Sequence, residues 1–377
     1  MIVCTEFDKS KPLISAIYDG STVEYFPIYL KGTGISIFQA RENLKKVENT
    51  VMSGEAQINN YFDHANLFGN FKSYYAIDTD QEVGGLEFHK ARLADGLKKI
   101  KKAGKHEWQL LRALASSTYY NLSKKDVEIK GECVKPTWRN DTFSGRSKVI
   151  GSSVQGASTG ELKPIKDGQM LVNFDWISAD IRMGGVLSGD KKLLNSYVES
   201  DPYTLAASEI GGGSLGRDAV KRFFFKAIYS LDFDNVAIEN FPRFKEWAVN
   251  NKKSIETVHY SESIMGRKFH IDEEHNILSV FNATIQGSVA HCMHSSINQI
   301  EEIYPNNILV DRHDSITMIS DKDPKSIKTM IQEVSKIMHK PLLKWGYDFE
   351  MPLDVSLGTE FKTWKKLRII RQSKEIE

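Results

Sequence analysis

The chain has 377 residues, 41% of them apolar and 26% charged, the proportions of a folded globular protein too long for one ordinary core. Its 50 Lys and Arg against 49 Asp and Glu leave a net charge of +1, which argues neither for nor against nucleic acid. No run approaches the ~20 apolar residues of a membrane span, which excludes an integral membrane helix.

The segment Met1–Asp8 lacks the basic and then apolar layout of a secretory signal, and Cys4, Cys133 and Cys292 lie far apart. A reducing, cytoplasmic setting is expected, the host cytoplasm if the chain is viral. Residues 1–80 alternate β-branched and aromatic runs (Leu13–Tyr18, Val23–Tyr29) with Gly and Asp turns, predicting a small β-rich or mixed lobe. From Leu86 to Tyr120 the spacing of Leu93, Leu97, Ile100, Trp108, Leu111 and Leu114 predicts a long helix or a helix pair. Lys98, Lys99, Lys101, Lys102 and Lys105 form a basic run there, and Lys362, Lys365, Lys366, Arg368 and Arg371 form another. Each is either a phosphate-neutralising patch or a solvated face. A Gly- and Ser-rich stretch from Ser144 to Gly160 reads as a connector, or as a loop approaching another backbone closely. Beyond it a strand, Met170–Asp175, opens an alternation of helices and strands.

Three constellations carry chemistry. Asp175 stands where the apolar strand ends, rigid yet open to solvent, as a metal ligand requires; an N-cap for a helix starting near Ile177 is the competing role. Arg217, Lys221, Phe225 and Tyr229 recur every fourth residue, a step of ~400° on a helix, so two cations and two aromatics share one stripe. Such a face takes a triphosphate at one end and stacks a base at the other, or it is a core face with snorkelling cations. In Asn307–Ile319 two apolar runs flank a polar turn with His313 and Asp314, predicting a hairpin with a carboxylate at its tip.

A strand-end Asp, a cationic and aromatic helix and a hairpin bearing His-Asp, in that order, resemble the family A DNA polymerases, the group that includes bacterial DNA polymerase I. Motif A of that family is similar to Asp175–Asp190, including the closing Leu187-Ser-Gly-Asp190. Its fingers helix, R-x-x-x-K-x-x-x-F-x-x-x-Y, is matched at Arg217, Lys221, Phe225 and Tyr229, and motif C at His313-Asp314. Phe241–Trp247, Glu262–Arg267 and Asn282–Ser288 fall in family order, and Glu107–Arg112 with Ser117–Tyr119 look like the end of its thumb. The resemblance covers roughly residues 85–365.

The resemblance implies an α+β right-hand polymerase fold: a palm with an antiparallel sheet, helical fingers and a helical thumb, plus the small N-terminal α/β or β-rich lobe. The implied layout is residues 1–82 N-terminal lobe, 83–150 thumb, 151–190 palm with motif A, 191–262 fingers, and 263–377 palm with motif C and the C-terminal segment. It implies primer extension by two-metal-ion nucleotidyl transfer, with Asp175, Asp314 and the Trp176 carbonyl holding two Mg2+ ions, or Mn2+. Lys221 would join them as a proton or charge donor to the leaving group. Arg217 and Lys221 would hold the deoxynucleoside triphosphate, Phe225 would pack on its sugar and base, and Tyr229 with Asp180 would exclude a 2′-hydroxyl. Phe225, lacking the hydroxyl of a Tyr, implies poor use of dideoxynucleotides. Asn282, Gln286, His313 and Arg267 would face the DNA primer–template. A phage- or plasmid-like replication role, with a separate exonuclease, clamp or helicase as partner, fits the same picture.

Departures from the family are expected to matter. Asp180 is one methylene shorter than the usual Glu, implying a looser hold on Tyr229. Thr159-Gly160-Glu161 stands where the family has Thr-Gly-Arg, Lys226 and Ser230 replace glycines, and Ser315 replaces an acid. Cys4-Thr5-Glu6 faintly resembles the opening of a proofreading exonuclease, with Cys4 in place of its Asp; no proofreading is expected, and an unrelated small domain is the other reading. His291, Cys292 and His294 read as part of a packed helix rather than a metal site, and Gly211–Ser214 as a turn, since no Lys-Ser/Thr follows. The alternative function is a non-catalytic primer–template binding or assembly subunit of a replicase. A desolvated carboxylate pair that repels phosphate favours the enzyme.

Overall fold

The computed structural model describes residues 2–8, 11–18, 23–27, 42–43, 45–46, 57–60, 107–139, 142–151, 154–157, 161–164, 168–194, 202–209, 216–233, 236–358 and 365–366. Both basic runs lie outside the described residues, apart from the backbone of Lys365 and Lys366. The chain divides into two compact units, Met1–Tyr120 and Asn121–Glu377.

In the first unit β1 (Ile2–Asp8), β2 (Lys11–Tyr18) and β3 (Val23–Pro27) form an antiparallel meander. β4 (Gln57–Asn60) pairs with the other edge of β1 in parallel, giving the order β3-β2-β1-β4. A parallel partner demands a long crossover, and residues 28–56 supply the length. Helix α1 (Glu107–Leu122) buries Trp108, Leu111, Ala115, Thr118 and Leu122; of the spacing read from the sequence Trp108 and Leu111 fall on it, while Leu93, Leu97 and Ile100 lie outside the described residues.

The second unit begins with short ribbons. β5 (Val127–Ile129) and β6 (Glu132–Val134) are joined by Lys130 and Gly131, both at positive φ, as a two-residue hairpin turn requires. β7 (Thr137–Arg139) pairs with β8 (Lys148–Ile150), and β9 (Leu162–Lys163) adds to β5. Its centre is an antiparallel sheet of order β13-β14-β10-β15-β16, with β10 (Gln169–Trp176) in the middle. Between β10 and β13 the chain forms α2 (Ala179–Ser188), α3 (Pro202–Glu209), α4 (Arg217–Ser230), α5 (Val236–Glu239) and α6 (Pro242–Val258). The ribbon β11 (Tyr260–Glu262) with β12 (Lys268–His270) and the 27-residue α7 (Ile277–Ile303) follow. β13 (Ile308–Asp311), β14 (Ser315–Asp321), α8 (Pro324–His339), β15 (Leu353–Gly358) and β16 (Lys365–Lys366) close the fold.

Two packing relationships position the site. α8 starts at Pro324 with Asp323 as its cap and lays Ile327, Met330, Ile331, Val334 and Met338 beneath β10, β14 and β15. The indole of Trp176 reaches through to donate to the carbonyl of Met338 at 2.8 Å, pinning the end of β10. α2, α6 and α7 pack together. A Cβ at Gly184 would lie 2.6 Å from the Phe244 ring, so only glycine lets α2 approach α6 this closely. α2 ends in a left-handed Gly189, with the amides of Gly189 and Asp190 bonded back to Val186 and Gly185. Asp190 is buried and caps two helical starts, accepting from the amides of Leu193 at 2.9 Å and Phe244 at 3.0 Å. The Leu187-Ser-Gly-Asp190 segment thus ends one helix and caps the starts of two others.

Candidate active site

β10 is buried from Leu171 to Phe174, then half-exposed at Asp175, which pairs with Ser315 of β14 on one side and Asp354 of β15 on the other. α2 begins only at Ala179, after Ser178 in a left-handed conformation. Asp175 is therefore a strand residue and not a helix cap. The next amide, Trp176, donates to the carbonyl of Asp314 at 2.8 Å, which brings the β10 end and the β13–β14 hairpin tip together.

That hairpin is held in a strained turn. His313 has φ 71°, and the Asp314 amide closes a three-residue turn onto Arg312 at 2.9 Å. Asp311 steadies it, accepting from the His313 amide at 3.0 Å and from the hydroxyl of Ser147. Gln155 ties Ser147 to the same strand by donating to the carbonyls of Ser147 and Asp311, each at 3.1 Å. Ser147 and Gln155 of the Gly- and Ser-rich connector thus tie it to the hairpin through their side chains.

The electrostatics follow from this crowding. Burial and the nearby Asp180 push the carboxyl of Asp314 up to about 6, with Asp311 acting in the same direction, although the residue itself is open to solvent at the turn tip. Burial lowers Arg312 to about 10 against the pull of Asp175, Asp311 and Asp314, and burial also lowers His313. Asp175, Asp314 and the Trp176 carbonyl offer hard oxygen donors beside excess carboxylate charge, which suits Mg2+ or Mn2+. No group of three or more His, Cys, Asp and Glu with metal-site geometry occurs among the described residues.

The fingers-type stripe forms as spaced. Val220, Phe224 and Ile228 take the core side of α4, which leaves Arg217 and Lys221 exposed and Phe225 and Tyr229 half-buried one position over. Tyr203 of α3 lies against this stripe, its ring centroid 5.4 Å from the Arg217 guanidinium and 5.9 Å from the Lys221 ammonium. Phe225 stacks on Tyr229 with centroids 5.7 Å apart and planes within 9°. Lys226 and Ser230 are exposed.

At the far end of the stripe the Tyr229 hydroxyl donates to Asp180 Oδ2 at 2.9 Å and accepts from Gln286 Nε2 at 3.2 Å. The hold of the short Asp180 on Tyr229 is direct, contrary to the looser contact expected. Burial and the Asp180 charge raise the Tyr229 phenol to about 12. Arg146 completes the cluster, 2.6 Å from Asp180 Oδ1. Sequence reading missed Arg146 as a site residue, yet Ser144-Gly145-Arg146 carries the Gly-Arg pair that Thr159-Gly160-Glu161 lacks. Thr159 and Gly160 lie outside the described residues, and Glu161 pairs with Lys130 at 2.7 Å.

Asn282 and Gln286 are the two positions between Val280 and Ile297 of α7 that are not buried, one turn apart on one face. His291, Cys292 and His294 are buried on the same helix, where burial, Arg267 and His294 hold His291 well below its ordinary value. Arg267 corrects an expectation: it is 6% exposed, with its guanidinium 4.9 Å from the Phe269 ring centroid and packed against Gly145. It belongs to the interior of this structure. Gly211–Ser214 lie outside the described residues.

No protein-family model matches the chain. It is 23% identical over 230 residues to the thermostable DNA polymerase I of Thermus aquaticus, an alignment covering 51% of this chain and 27% of that protein. It is also similar to a solved structure, the POL domain of Pol1 from M. smegmatis in complex with DNA primer-template and dNTP. The TM-score is 0.52 with 15% identity, over 68% of this chain and 52% of that one. The chain thus spans about a quarter of the length of the curated relative and about half that of the solved domain. No described helix is long and apolar enough to cross a membrane. With the antiparallel sheet, the helix α4 and the hairpin in this order, the chain has an α+β fold similar to that of a polymerase POL domain and a sequence similar to part of a DNA polymerase I.

Proposed function

We propose that this protein carries out template-directed DNA synthesis, adding deoxynucleoside triphosphates to a primer 3′-hydroxyl. The observation that supports it most is the β10–β14 register, which sets Asp175 opposite Ser315 and the Trp176 amide on the Asp314 carbonyl. That register supports the reading because it ties the backbone next to Asp175 to the turn that carries Asp314.

In this reading Asp175, Asp314 and the Trp176 carbonyl hold two divalent ions, Mg2+ or Mn2+, which supply acidity to the primer hydroxyl and neutralise charge on the departing pyrophosphate. Arg217 and Lys221, exposed at one end of α4, bind the triphosphate, and Lys221 gives a proton or positive charge to the leaving group. Phe225 packs on the sugar and base. Tyr229 and Asp180 lie beneath the sugar and exclude a 2′-hydroxyl. Asn282 and Gln286 face the minor groove, where acceptors are common to all base pairs, so they sense shape rather than sequence. His313, at the strained hairpin tip, contacts the primer end. Residues 83–150 act as thumb, 191–262 as fingers and the central sheet as palm. The N-terminal unit, with Cys4 on β1 in place of an acid, contributes no excision. A replicative role alongside a separate exonuclease, clamp or helicase fits this division of labour.

Primer extension with magnesium tests the reading, comparing deoxy- with ribonucleotides and matched with mismatched primer ends. Extension of the matched primer, lost in Asp175→Ala and Asp314→Ala, is expected. Tight primer–template binding without any extension would instead make the chain a binding subunit.

A further inference from the structure

Asp180 is held from two sides, and the second side belongs to a residue with no assigned role. Its Oδ2 accepts from Tyr229, while its Oδ1 is 2.6 Å from Arg146 Nη2, with the two side chains 15% and 19% exposed. Arg146 is itself placed with little freedom. Its own carbonyl accepts from the Thr142 hydroxyl at 2.7 Å, and the Gly145 amide bonds to the Thr142 carbonyl at 2.9 Å. Gly145 has φ 81°, and a Cβ there would lie 2.7 Å from the Arg267 guanidinium, so the turn before Arg146 tolerates glycine alone. On the other side Ser147 is locked to Asp311. The guanidinium is therefore delivered by a turn fixed at both ends.

An aspartate is one methylene shorter than a glutamate, so Asp180 on α2 meets Tyr229 on α4 with less length to spare. A cation opposite the tyrosine compensates by fixing the carboxylate in one rotamer, with one oxygen per partner. We propose that Arg146 is a positioning residue for sugar selection: it clamps the short Asp180 against Tyr229, so that the pair holds one fixed position and an incoming 2′-hydroxyl finds no room. The inference rests on the proposed role of this site in nucleotide addition and adds to it the residue that makes a short gate effective.

The test compares Arg146→Met, Arg146→Lys and Arg146→Met/Asp180→Glu with the unaltered chain at saturating primer–template. For Arg146→Met the kcat/KM ratio of ribo- to deoxynucleotide should rise on the order of ten-fold, the size expected for loss of a hydrogen bond to a charged group. Arg146→Lys should fall between. Asp180→Glu in the Arg146→Met background should restore selectivity, because the longer acid reaches Tyr229 unaided. An equal fall for both sugars, with the ratio unchanged, would overturn the proposal and leave Arg146 a DNA contact or a structural cation. A second readout does not depend on synthesis: the 19F signal of 3-fluorotyrosine at position 229 should shift in Arg146→Met and return in the double variant. If that signal is unmoved, the clamp is wrong whatever the activity. If it responds but the unaltered chain extends no primer, the clamp stands, while sugar selection and the polymerase reading fall together.

Discussion

The main-chain amide of Trp176 is bonded to the carbonyl of Asp314, so the strand that ends in one acid and the turn that carries the other are fixed to each other by backbone. Side-chain substitution at either acid leaves that bond in place. Asp175→Ala and Asp314→Ala should accordingly fold, bind primer–template as well as or better than the unaltered chain, and extend primers at least a thousand-fold more slowly, the scale of several kcal/mol of lost charge stabilisation. Single-turnover extension and duplex titration measure the two halves of this expectation.

The carboxyl of Asp314 sits at about 6 against an ordinary 3.8. A raised carboxyl binds its proton better in the folded chain than in the unfolded one, so its contribution to stability declines as pH rises from 3.8 to about 6 and is level above. Asp314→Asn should therefore melt higher than the unaltered chain at pH 7.5, a gain kept modest by solvent at the turn tip and lost near pH 4. Magnesium affinity, followed by isothermal titration, should weaken below pH 6, because the ion competes with that proton.

Arg217 and Lys221 are exposed, each with its cation over the ring of Tyr203, a contact of modest worth at an exposed site. Alanine at either position should leave urea stability within about 0.5 kcal/mol while raising the KM for deoxynucleotide roughly ten-fold, since each is a charge-assisted contact to phosphate. Steady-state kinetics with equilibrium melts would separate this from a structural effect, which would lower stability first.

Asp190 has the opposite profile. Its two oxygens cap the amides of Leu193 and Phe244. Asp190→Ala should cost about 2–4 kcal/mol in urea unfolding, the sum of two lost caps, and Asp190→Asn about half as much. Activity measured on the folded fraction should change little, since the residue is buried at a helix junction.

Asn282 and Gln286 share the one face of α7 left open between Val280 and Ile297. Asn282→Ala and Gln286→Ala should each weaken primer–template binding a few-fold, and to the same degree for duplexes of different sequence, because minor-groove acceptors recur in every base pair. Fluorescence anisotropy with two unrelated duplexes decides it: weakening confined to one duplex would point to sequence readout instead.

By itself the sequence determined what spacing along the chain can encode. A period near four set Arg217, Lys221, Phe225 and Tyr229 on one stripe, an apolar run placed Asp175 at a strand end, and two apolar runs around a polar turn put His313 and Asp314 at a hairpin tip. Each is a local pattern, written in the repeat of helix or strand. The tertiary structure alone decided which distant groups meet. Arg146 reaches Asp180 from a loop that has no period to read, Arg267 turns inward beneath Phe269, and Asp190 caps two helical starts. Those outcomes depend on strand register and helix packing, where a slip of one residue turns every side chain of a strand to the opposite face.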